Sequence, residues 1–190
     1  GGRPDYAELL NPTRPETVER VKTLREKYKL EPRRMQEVDN EYGPLEWRLP
    51  ETHSIYWAYV GLQECVGAKR EDLTQLRRNI FQSMQTAFLR GRMIFPVPDL
   101  FEFAYGPNIF IVDKVNKAYE DMIAGEPASN IQNGHKNFLK LAVFFLYTYN
   151  NLKAAEEWFQ YLQRVYPDSL LTGEQLEEKR KNPRAVFPPK

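Results

Sequence analysis

The stretch 136–169, KNFLKLAVFFLYTYNNLKAAEEWFQYLQRVYPDS, decides the fold. From Lys136 to about Tyr149 it is apolar almost throughout and free of proline and glycine, which reads as a buried helix. Lys140 interrupts the run, and Phe138 to Tyr149 falls short of the roughly 20 residues that a membrane span requires. Asn150-Asn151 supplies a turn. Apolar residues then recur at helical spacing from Leu152 to Tyr166, and Pro167 stops the second helix. Two helices joined by so short a turn must lie antiparallel.

The same reading extends outward from this hairpin. Downstream, Thr172 with Gln175 is expected to cap a short charged helix over 172–181, and the proline-rich end 182–190 to run extended. Upstream, the polar stretch Ser129 to Gly134 reads as a link. A helix is expected from Asn108 to Ala124, where Ile109, Val112, Val115, Tyr119, Met122 and Ile123 share a stripe. Another fits Glu71 to Arg90 on Leu73, Leu76, Ile80, Met84, Ala87 and Phe88, with Gly91 as its stop. Between them, 92–107 reads as a long ordered non-helical crossover, a small hairpin being the alternative. Residues 51–64 are apolar nearly all round, so their helix is expected at the centre of the core. A second long ordered loop is expected over 31–50, punctuated by Gly43-Pro44 and Leu49-Pro50. Thr13-Arg14-Pro15-Glu16 has the form of a capping box, opening an amphipathic helix to about Leu30 with a basic outer face. Residues 1–12 are expected to be extended. The fold class is therefore all-α: six or seven helices in antiparallel hairpins, within a single domain over 1–190.

Composition narrows the function. The 190 residues hold 42% apolar and 28% charged side chains, ordinary globular proportions. A net charge of +1 removes the global electrostatic case for binding nucleic acid. The single cysteine, Cys65, excludes an intramolecular disulfide framework and a cysteine-rich zinc module. With His53 and His135 as the sole histidines, no metal site is expected, and no glycine-rich phosphate loop or nucleophile elbow suggests a cofactor or a hydrolase. No membrane insertion is expected either. The chain begins Gly1-Gly2 without Met, which reads as a trimmed start and leaves the compartment open.

Residues 136–169 resemble a tetratricopeptide repeat, a helix-turn-helix unit of about 34 residues. Asn150 stands at its turn, Leu152 opens the second helix, and Ala155, Phe159 and Pro167 fall at the family's small, aromatic and terminating positions. The first helix departs from the pattern at Leu139, Ala142, Val143 and Leu146. A fainter echo lies in Trp57-Ala58-Tyr59-Val60-Gly61. The resemblance implies either a right-handed superhelix of helix pairs or a compact helical bundle, with 172–181 as its solvating cap. It further implies a non-catalytic domain, part of a longer protein, that binds a protein or peptide along a groove. Lys136, Asn137 and Lys140 would lie on or near that groove.

A second reading rests on the aromatic excess, 13% of the chain. Trp47, Arg48, Glu51, His53, Tyr56 and Trp57 lie together where a loop enters a helix, and His53 and Trp57, four apart, share a face. Trp47 and Trp57 could offer flat surfaces while Arg48 and His53 hold a carbohydrate or small anion, with Tyr56 beside them, in an all-α binding or enzymatic domain. The structural alternative packs the rings on the helix, pairs Arg48 with Glu51 and gives His53 a backbone carbonyl. No residue is assigned a catalytic role. His135 is expected to cap a helix or lie at the surface.

Overall fold

The computed structural model describes residues 4–65, 67, 69, 73–95, 103–125, 129–171 and 173–184. Helices dominate among them, as an all-α class requires, and the chain divides into two compact units, 1–127 and 128–190.

In the first unit, Asp5 opens α1 (Tyr6–Leu10) by accepting the Glu8 N–H at 3.1 Å. The reading of 1–12 as extended is corrected there: one capped turn buries Leu9. The capping box is corrected as well. Helix α2 (Pro15–Glu26) has Arg14 as its N-cap, without a side-chain cap bond. Thr13 turns to Glu8 instead, whose Oε1 also accepts the N–H groups of Thr13 and Arg14, both at 3.2 Å.

Helix α3 (Pro32–Tyr42) replaces most of the loop expected over 31–50. Proline is a breaker in mid-helix, but at the first position its missing N–H costs nothing and its fixed φ suits the helix. Pro15, Pro32 and Pro50 all stand at such starts, of α2, α3 and α4 (Pro50–Glu64). The buried face of α3 hides the period further, because Asp39 shares it with Met35 and Val38.

Helix α4 runs antiparallel to α5 (Thr74–Arg90). Near one end, a Cβ on Gly61 would stand 3.0 Å from Leu76 Cδ1, so glycine permits the approach. At the other, Glu51 accepts from Arg90 at 3.0 and 2.7 Å. Ile55, Met84 and Phe88 are buried between the helices, whereas Trp57 is 49% exposed, so α4 is less central than expected. Strands β1 (Arg92–Ile94) and β2 (Ala104–Gly106) pair antiparallel with Met93 opposite Tyr105, which makes the base of the crossover a ribbon. The expectation for 96–102 lies outside the described residues. A 3₁₀ turn, Ile109–Ile111, leads into α6 (Val112–Gly125), which buries Val115 and Tyr119.

The second unit is built on α7 (Ser129–Thr148) and α8 (Leu152–Val165). Residues 129–134, expected as a link, continue α7 toward its start. Burial of His135, Phe138 and Leu139 outweighs the weak helix propensity of the preceding serine and asparagines. The hairpin closes as a Schellman turn: Asn150 takes φ 59°, Asn151 N–H donates to the Leu146 carbonyl at 2.8 Å, and Asn150 N–H to that of Tyr147 at 3.0 Å. Ala155 and Leu162 form the buried face of α8, while Phe159 stays partly exposed. A 3₁₀ turn, Pro167–Leu170, precedes α9 (Gly173–Lys181). The cap expected from Thr172, and the end of the chain after 184, lie outside the described residues.

Candidate functional site

The cluster from Tyr42 to Trp57 folds back on α4 through short local bonds. Thr52 Oγ1 donates to the Glu46 carbonyl at 2.8 Å, and the Trp47 carbonyl lies 2.9 Å from His53 Nε2. A carbonyl can only accept, so Nε2 carries the proton in this contact. Tyr56 is buried, with Trp47 and Trp57 edge-on to it at 6.0 and 5.2 Å between ring centroids. Its hydroxyl accepts the Glu31 N–H at 2.9 Å, and burial raises its pKa. Arg48 takes a different partner from the one expected. It holds Glu46 bidentately, at 2.7 and 2.6 Å, while Glu51 goes to Arg90. The fork geometry of two residues in the same loop wins over a partner on the helix. This bond holds the Glu46 carboxyl below its ordinary range.

These side chains do not converge on one cavity. Trp47 and Arg48 line a cleft of about 870 Å³ together with Arg14, Arg20, Arg92 and Phe110, whereas His53, Tyr56 and Trp57 are not part of its lining. Arg14 and Arg48 are each neutralised there, by Glu8 and Glu46. The Trp47 indole N–H is buried and has no acceptor among the described residues. No group of three or more His, Cys, Asp or Glu able to hold a metal occurs among them, and none of the helices is long and apolar enough to cross a membrane.

In the second unit the three groove candidates lie along α7. Lys136 is half-buried and donates to Asn133 Oδ1 at 3.3 Å; Asn137 and Lys140 are exposed. Sequence reasoning missed their neighbours. Leu141, Phe144 and Tyr147, at i, i+3 and i+6, are 39%, 57% and 67% exposed, so α7 is buried on one face and not all round. The signal was present in the nearly unbroken apolar run, since a helix packed on one partner cannot cover every side of such a sequence.

His135 corrects its expected surface role. It is buried in α7, stacks against Phe138, and its Nδ1 lies 3.0 Å from the Tyr166 hydroxyl at the end of α8. Cys65 is exposed at the C-terminal cap of α4. In comparisons with known proteins, no family model, no curated protein and no solved structure matches this chain.

Proposed function

We propose that the chain is a non-catalytic interaction domain whose second unit, a tetratricopeptide-like hairpin, binds an acidic amphipathic helix of a protein partner on the outer face of α7. The observation that carries this reading is the exposed row Leu141, Phe144 and Tyr147. Such a row at helical spacing supplies the apolar contacts of helix-in-groove recognition. Charge selects the partner. Helix α7 contains Lys136 and Lys140 and no carboxylate, so acidic residues flanking the partner's apolar face are favoured. The alternative, a carbohydrate or small-anion site across Trp47, Arg48, His53, Tyr56 and Trp57, has weaker support because those residues serve separate surroundings.

Selection of random peptides against the full chain tests the proposal. Enriched peptides should combine apolar residues at helical spacing with Asp or Glu. Phe144→Glu and Lys140→Glu should each weaken them about tenfold or more, with the melting temperature unchanged because both side chains are exposed. Selected peptides that ignore both substitutions would overturn the reading.

A further inference from the structure

We infer that a second, separate site lies in the first unit, where the cavity between α5 and α6 takes a small organic acid with an apolar body. The cavity encloses about 390 Å³, within the common range of small-molecule sites, about 300–1,000 Å³. Its lining includes Leu62, Ile80, Phe81, Ala118 and Met122, which offer an apolar surface to a ring or short chain. Phe81 is fixed by an edge contact with buried Tyr119, at 4.8 Å between centroids.

Charge identifies the other end of the ligand. Arg77 and Arg78 from α5, with Lys114 and Lys117 from α6, line the cavity against two carboxylates, Glu41 and Asp121. The helical period puts Lys114, Lys117, Ala118, Asp121 and Met122 on one face of α6, so cation and apolar surface belong to the same wall. Lys114 donates to the Asn40 carbonyl at 3.2 Å. Among the described residues, neither Arg77 nor Lys117 forms an ion pair, although Asp121 lies one turn from Lys117. The larger cleft of the same unit differs here, since Glu8 and Glu46 already neutralise two of its arginines. Positive charge on a concave wall attracts an anion. The apolar lining and the two carboxylates favour a singly charged carboxylate over a polyphosphate, and the surplus of cations disfavours a metal ion.

The probe is 4-phenylbutyrate, titrated into the full chain and followed by amide NMR, with uncharged 4-phenylbutan-1-ol as its counterpart. Saturable shifts are expected at 77–81 and 114–122, with the alcohol at least about tenfold weaker. Arg77→Gln combined with Lys117→Gln should weaken the acid by about tenfold or more; Arg77→Lys with Lys117→Arg should retain it. Both side chains are exposed, so the folded spectrum should persist. Arg20→Gln, in the other cleft, should leave binding unchanged. The inference fails if the acid does not saturate up to about 10 mM, if the alcohol binds equally well, or if Arg20→Gln rather than the double variant abolishes the shifts.

Discussion

Asn150 sits at φ 59°, where the α7–α8 turn needs a left-handed residue. An ordinary side chain there crowds the following carbonyl, and asparagine tolerates the conformation better than most. Asn150→Ala is therefore expected to lose about 1 kcal/mol in urea unfolding, and Asn150→Gly to be neutral or slightly stabilising; equal losses for both would argue against the turn. This residue was legible in the sequence because its preference is local. His135 was not. Its place is set by the Tyr166 hydroxyl, and nothing in the sequence around Gly134 announces a partner at the far end of another helix. The carbonyl partner of His53 was anticipated for the opposite reason, since Trp47 is only six residues away. The partner of Arg48 fell between the two cases, with both candidates close and the loop geometry deciding.

Along α8 the resemblance puts Phe159 at the family's aromatic position, where a ring would be expected to fill the gap between the two helices. The buried position is Leu162, one turn on, which is 1% exposed while Phe159 is partly open. Leu162→Ala should therefore cost about 2–5 kcal/mol, and Phe159→Ala distinctly less, in chemical denaturation of the full chain. A larger loss at Phe159 would mean that α8 is rotated relative to its packing here. Helix existence was read well wherever the apolar stripe was strong, as in α5, α6 and α8. It was missed where a signal had two meanings. Pro32 closes one helix in a linear reading and opens α3 in three dimensions, and Asp39 breaks the apolar period of the same helix while being buried. The start of α7 was missed because its early residues favour helix only when His135 and Phe138 have something to pack on.

For the whole chain, acid is the condition that should distinguish the two units. Among the described residues, the carboxyls held below their ordinary range are Glu8, Glu31 and Glu46, all within 1–127. The Arg14 backbone N–H is the chief cause for Glu8, and the Arg25 and Arg48 side-chain bonds for Glu31 and Glu46. Glu8 is lowered from 4.5 to about 2. A carboxyl depressed in the folded state binds fewer protons there than in the unfolded chain, so its contribution is full above its unfolded value. That contribution declines as pH falls below 4.5 and, for Glu8, is gone below about 2. The NMR titration of the Glu8 carboxyl carbon should accordingly have its midpoint near 2. Pepsin, which works across this window, should begin to cut 1–127 at a higher pH than 128–190. Replacing all three glutamates with glutamine should remove that acid dependence, because an amide does not titrate. Cutting that starts in 128–190, or an unchanged acid profile in the triple variant, would show that these three carboxylates do not govern the acid response.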